Sequence, residues 1–350
     1  MIIGYSFWGF IGPGITDTPD GGRSHRRPLL EALRAQGHDL ILLQRDRDLL
    51  EARYALPGHY RFDAGLPALD AVMLEWRWPM PGRNTTACGT PGHTCDLHRQ
   101  AELLAAYTER QGTATVIWDK DRMLPPDDHL RNHCGVAVCE AALHPTPGAH
   151  RLLFPVEDHL LECVDPDALA ARNRPVTLAY VGNQYNRDEA FDAYFAPAAR
   201  QVEHVIAGKW TDTTRWGGLR FIGRVPFVRV RAIHTDSLAT VLLLPQRYAR
   251  VGQVTQRLVE AVLAGCLPLA PASIRGIATF VPRALHVRSG AEVIDKLRWL
   301  RALAGTPQHA DLIAACLQHL DPFRLSAQIA ELQRILHELA NATPVEGNAV

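Results

Sequence analysis

The 350-residue chain reads as an α/β protein made of two successive halves, each a parallel, doubly wound sheet. Two observations predict this class. Short apolar, β-rich runs alternate with segments of helical periodicity, and the alternation pauses over a proline-punctuated stretch, 155–175, before restarting at Val176. Scale agrees, because a hydrophobic fraction of 47% over this length is enough for two cores.

Met1 to Phe7 alternates as a strand, a Gly/Pro/Asp loop runs from Gly9 to Gly22, and Pro28 to Arg34 repeats at helical spacing. His38 to Leu43 and Leu69 to Leu74 follow as strands, Arg99 to Arg110 as a helix, Thr113 to Trp118 as a strand, and Gly135 to Cys139 and Arg151 to Phe154 as two more. In the second half Val176 to Val181 is a strand, Asp188 to Arg200 a helix, and His204 to Ala207, Leu219 to Ile222 and Leu238 to Leu244 are strands. Ala291 to Leu303, Ala310 to Leu320 and Leu325 to Leu339 read as helices. The expected division is residues 1–155, a first Rossmann-like domain, 156–330, a second, and 331–350, a helix end and polar tail.

Lys plus Arg and Asp plus Glu both number 37, so no global field draws the protein to a polyanion, and an anionic ligand must be held by local patches. Seven cysteines, an odd number scattered along the chain, and a start that runs directly into a strand lead to the expectation of a reducing, cytoplasmic setting. No apolar run reaches the roughly 18 residues of a membrane span.

The most informative stretch is Thr255-Gln256-Arg257-Leu258-Val259-Glu260 through Gly265 to Pro268. Leu258, Val259, Val262 and Leu263 form a buried helical face, Gly265 stands at the C-cap, and Leu267 begins a buried strand. Thr255, Gln256, Arg257 and Glu260 are left on the other face, where Glu260 is either a solvated surface carboxylate or a ligand group.

With Ala179-Tyr180-Val181-Gly182-Asn183 after a strand and Arg220-Phe221-Ile222-Gly223-Arg224-Val225-Pro226, this block makes nearly the whole chain resemble the GT-B glycosyltransferases, and within them the group of spore-maturation-type proteins. The resemblance implies two Rossmann-like domains facing a cleft, a nucleotide diphosphate sugar, most simply uridine-based, in the second domain, and a carboxylate at Glu260 on the ribose hydroxyls. A carboxylate accepts two hydrogen bonds from a vicinal diol, while amides near Gln256 and the cations Arg257, Arg224 and Lys209 suit the diphosphate. Many retaining relatives carry a second glutamate eight residues earlier, and here that position is Gly252. No tightly bound cofactor and no catalytic metal are expected, since such enzymes stabilise the leaving diphosphate with basic side chains and helix dipoles. The glycines do not spell G-x-G-x-x-G, which disfavours a nicotinamide or flavin enzyme.

The loop from Gly9 to His25, with Gly12 and Gly14, is long for a connection between a strand and its helix, and such loops carry function. Asp17, Asp20 and His25 are the candidate bases for an acceptor hydroxyl, each weighed against a turn or helix-start role. Arg23 and Arg27 beside it, and Trp76-Arg77-Trp78 with Arg83, combine charge with aromatic surface in a way that suits exposed bases and phosphates. Phage DNA-modifying glycosyltransferases act on flipped hydroxymethylated pyrimidines in this architecture, so DNA is the leading acceptor. A small natural product or glycan acceptor, or a nucleotide-sugar-binding protein without turnover, are the alternatives. Cys88, His93, Cys95 and His98 crowd one loop, but their spacing is not the paired C-x-x-C of a zinc site, and a cleft-lining loop is expected there instead.

Overall fold

A computed structural model describes residues 1–12 and 23–342; Gly14, Asp17, Asp20 and the Arg23 side chain lie outside the described residues. The chain forms two compact units, the first from residues 1–141, 145–155 and 325 onward, the second from 142–144 and 156–324.

In the first unit β1 (Ile2–Ser6), β2 (Asp39–Leu42), β3 (Arg61–Phe62), β4 (Ala71–Glu75), β5 (Ala114–Asp119), β6 (Val136–Glu140) and β7 (His150–Arg151) make one parallel sheet in the order β3-β2-β1-β4-β5-β6-β7. The order reverses between β1 and β4, which pair Ile3 with Ala71 and Ser6 with Leu74. Both strands are almost wholly apolar, as a sheet covered on both faces requires.

The second unit carries β8 (Val176–Val181), β9 (His204–Ala207), β10 (Ser237–Val241), β11 (Leu267–Pro271) and β12 (His286–Val287) in the parallel order β12-β11-β10-β8-β9. Here the order reverses between β10 and β8. Open α/β sheets bind ligands beyond the carboxyl ends of the strands at such a reversal, where neighbouring crossovers leave to opposite faces.

Several expected boundaries move. The helix Leu325–Ala342 returns to the first unit instead of ending the second, because Ile329, Leu332, Ile335, Leu336 and Leu339 form one stripe that joins the core of Tyr5, Leu29, Leu33, Val116 and Trp118. The stretch 155–175 is not a plain linker. It holds two short helices, Asp158–Glu162 and Pro166–Ala170, the second capped by Asp165, whose carboxylate accepts from the amides of Asp167 and Ala168. Arg174 then donates to the carbonyls of Leu169, Thr235, Ser237 and Ala264, which ties the stretch into the second unit.

Leu219 to Ile222 makes only an isolated bridge from Phe221 to Ile206, since Phe221 is held in an aromatic cluster with Phe191, Trp210 and Trp216. Arg151 to Phe154 pairs at His150–Arg151 alone. The helix expected from Arg99 to Arg110 starts at Asp96 and widens to π geometry from Leu104, and that from Asp188 to Arg200 likewise passes through a π turn at Phe191–Phe195. Among the described residues no helix is long and apolar enough to cross a membrane.

Replacing Ile335 by alanine should destabilise the chain by roughly 2–5 kcal/mol, the range for emptying a fully buried aliphatic site. Denaturant titration of the variant checks this, and a loss under about 1 kcal/mol would mean that the C-terminal helix is not part of the first core.

Candidate active site

The donor residues expected from the sequence gather at the carboxyl end of the second sheet. β8 ends at Val181, and the chain turns through Gly182 and Asn183. Gly182 donates to the Ala207 carbonyl at 2.8 Å, the Asn183 Oδ1 accepts from the Lys209 amide at 2.8 Å, and Trp210 Nε1 donates to the Gly182 carbonyl at 2.9 Å. The turns after β8 and β9 are thereby stitched together. At Gly208 (φ +136°) a Cβ would stand 2.1 Å from the Gly182 carbonyl oxygen, so only glycine permits the approach.

Arg257 lies across this turn. Its Nε donates to the Val181 carbonyl at 2.6 Å and its Nη1 to the Thr255 hydroxyl at 3.3 Å, while a Cβ on Gly182 would stand 2.3 Å from Nε. The third guanidinium nitrogen, Nη2, has no hydrogen-bond partner among the described residues. Because the Thr255 hydroxyl is used in this way, it does not cap the helix Gln256–Leu263. A cation and the start of a helix dipole therefore share one place, an arrangement that attracts a diphosphate.

Glu260 stands one turn along the same helix. It keeps part of its surface accessible, yet the protein around it excludes enough water to push the carboxyl up to about 7, with the Arg257 charge pulling the other way. A carboxyl poised there can accept from a diol once a ligand and its counter-charges arrive. Beneath lies His234, buried, with no hydrogen bond to either ring nitrogen, its pKa lowered by burial and by Arg257 to about 4. Lys209 and Arg224 both reach the exposed surface.

Gly252, the position at which the resemblance would have placed a second glutamate, is glycine for a local reason. Its φ is +64°, and a Cβ would lie 2.4 Å from the Arg275 carbonyl oxygen, so the turn admits no side chain. A cavity of about 610 Å³ opens nearby, beyond β10 and β11, lined by Asp188, Glu189, Tyr194, Gln246, Arg247 and Ser273 among others. Its lining combines two carboxylates with the cation of Arg247.

Two side chains of this edge were not anticipated. Arg187 is buried and donates to the carbonyls of Leu243, Asn183 and Tyr185, so it shapes the turn from within, and burial lowers its pKa. Gln184 accepts from the amide and hydroxyl of Thr211 and donates to Asp188. Neither lies in a recognisable motif; the one signal is their place directly after a strand end.

In the first unit the sheet edge is organised around Glu75, the last residue of β4. Arg26 donates to it through Nε (2.8 Å) and Nη2 (2.6 Å), Lys120 Nζ at 2.6 Å, and Tyr5 through its hydroxyl at 2.7 Å, with Arg77 at 3.8 Å. Burial alone would raise this carboxyl; Arg26 and Lys120, aided by Arg77, hold it well below the usual range. A carboxylate closing an apolar strand was the available sign of this cluster.

Of the acceptor residues, Gly12 is buried where its amide and that of Ile11 donate to Asp48 (2.7 and 3.0 Å). Arg27 is exposed, and Trp76 and Trp78 are half-buried, Trp76 packed on the cluster of Ile117, Leu124 and Val138. His25 is 3% exposed, its ring 4.7 Å from that of Phe154 and 5.3 Å from that of Trp118, a packing position inside the first core.

The two titrations in the second unit have opposite signs. Unfolded, the His234 imidazole takes its proton near 6.5, folded only near 4, so stability should fall as pH drops through that window. Glu260 keeps its proton to about 7 instead of 4.5, so its contribution should decline as pH rises from 4.5 to 7. His234→Leu should flatten the acid limb, and Glu260→Gln should gain on wild type above pH 7; urea midpoints across pH test both, and curves parallel to wild type would contradict them.

Neither protein-family profiles nor curated protein sequences give a match to this chain. Solved structures do. T4 phage β-glucosyltransferase in complex with UDP and Mn2+ is similar at a TM-score of 0.63 and 11% identity, covering 96% of this chain and 99% of that one. An α-glucosyltransferase in complex with UDP-glucose and DNA containing an abasic site is similar at 0.62 and 9%, covering 96% and 99%. AviGT4, a glycosyltransferase of avilamycin A biosynthesis, is similar at 0.58 and 15%, covering 97% and 98%. With two parallel α/β units and this likeness over the full length, the chain has the GT-B fold.

Proposed function

We propose that this protein is a glycosyltransferase that moves a sugar from a nucleoside diphosphate donor, uridine-based, to a hydroxyl group. One observation carries the reading: Arg257, an uncapped helix start and the poised Glu260 share the carboxyl edge of the second sheet beside the Gly182 turn. Arg257 Nη2 and the first-turn amides would take the diphosphate, and Glu260 the ribose diol. Lys209 and Arg224 add charge for the leaving group, and turnover needs no metal; added Mn2+ should leave the rate unchanged.

The base that removes the acceptor proton is assigned to the loop after β1, with Asp20 and Asp17 as its carboxylates. His25 is reassigned to packing. The favoured acceptor is a hydroxymethylated pyrimidine in DNA, supported by the fold shared with glucosyltransferases whose structures hold UDP-glucose and DNA, and by exposed Arg27 near the same sheet edge. A small natural product is the second reading, favoured by the likeness to AviGT4.

Release of UDP from UDP-glucose should require an acceptor, and hydroxymethylated DNA should support it where matched unmodified DNA does not. Release with small acceptors alone would select the second reading, and UDP-glucose binding without release under any condition would leave a nucleotide-sugar-binding protein. Glu260→Ala should weaken UDP binding by about 1–3 kcal/mol without unfolding the chain. Asp20→Ala should lower turnover at unchanged donor affinity, measured by calorimetry alongside the rate; a full-rate variant removes that residue from the mechanism.

A further inference from the structure

The connection from β4 to the helix Asp96–Leu103 spans residues 76–95, far longer than the roughly 4–6 residues typical of such links. Its stretch from Ala87 to Gly92 is exposed throughout, so little apolar contact holds that part. Its near end is tied by Asn84, which bonds the Met80 amide, the Trp78 carbonyl and Asp96. Its far end contains Cys88, His93, Cys95 and, on the first helical turn, His98. One ligand atom from each of the four lies within 4.8 Å of all the others.

We propose that these four residues bind a structural zinc ion, in a C-x4-H-x-C-x2-H arrangement that sequence spacing alone argued against. A tetrahedral ion with bonds of about 2.0–2.3 Å sets its ligands roughly 3.3–3.8 Å apart, so the observed group needs only a small contraction to close. Cys88 Sγ and His98 Nδ1 already stand 3.3 Å apart. The Nδ1 of His93 is 3.1 Å from the Thr86 hydroxyl, whereas its Nε2 is buried and has no hydrogen-bond partner. A neutral imidazole whose Nδ1–H donates to Thr86 presents the lone pair of Nε2 to the metal, the usual way an outer hydrogen bond orients a histidine ligand.

Two thiolates and two imidazoles select zinc over magnesium or calcium, which take oxygen. The nearby carboxylate of Asp96 is engaged by Thr94 and Asn84 and stays outside the set. Four protein ligands leave no open position, so the ion has a structural role. It would pin the loop beyond the carboxyl end of β4, at the reversal of the first sheet, and with it the segment carrying Trp78 and Arg83.

The test is metal content of the intact chain, expressed with zinc, purified under reducing conditions without chelator and measured by plasma mass spectrometry. About one zinc per chain is expected, retained in Cys134→Ser and Cys163→Ser, exposed thiols elsewhere, and lost in the double variant Cys88→Ser/Cys95→Ser. Cobalt substituted into the wild type should give thiolate charge-transfer and intense tetrahedral absorption, which also serves if the double variant does not fold. Wild type that stays metal-free after incubation with stoichiometric zinc and gel filtration, or that isolates with a Cys88–Cys95 disulfide and no metal, overturns the proposal. So does zinc retained undiminished by the double variant.

Discussion

The reversal of strand order in each parallel sheet is the constraint on which the rest depends. Between β1 and β4, and again between β8 and β10, adjacent strands send their connections to opposite faces. The carboxyl edge there is left uncovered, and backbone groups and strand-end side chains gather without a helix over them. Glu75, Gly182, Asn183 and the loop after β4 all stand at such an edge.

Each unit furnishes its edge differently. The first buries charge: Glu75 is held ionised by Arg26 and Lys120, and a buried carboxylate so engaged fixes β1, β4, β5 and the helix Arg23–Ala35 to one another. The second holds its turn through close backbone approach, with Gly208 against the Gly182 carbonyl and Arg257 laid over both. That packing leaves an arginine with one nitrogen uncommitted beside a carboxyl near neutrality. Groups of this kind, with displaced titration and unspent hydrogen-bonding capacity, are typical of binding and catalytic sites.

Stability and chemistry also interlock through Glu260 and His234. Both are kept neutral near pH 6 by burial, so the second unit carries Arg257 with little local negative charge around it. Under the proposed function, an arriving diphosphate would supply the missing charge. The same electrostatics that burden the folded chain would then favour the liganded one.

Much of the architecture was legible in the sequence, because parallel strands buried on both faces appear as apolar runs and their helices as stripes; β8 and β9 match their expected ranges residue for residue. The Thr255–Glu260 helix was legible for the same reason, since its polar residues interrupt an otherwise clear stripe. What the chain alone did not determine were the features set by distant partners. The C-terminal helix joins the first core because its stripe fits Tyr5 and Trp118, some two hundred residues away or more, and periodicity carries no address. Phe221 keeps a single bridge to β9 and packs into an aromatic cluster, and His25, polar by type, disappears between Phe154 and Trp118. Gly252 is glycine because of a carbonyl at Arg275, and the two cysteines and two histidines converge because turns fold their loop back onto a helix. Local sequence sets which elements form; only packing in three dimensions decides which of them meet.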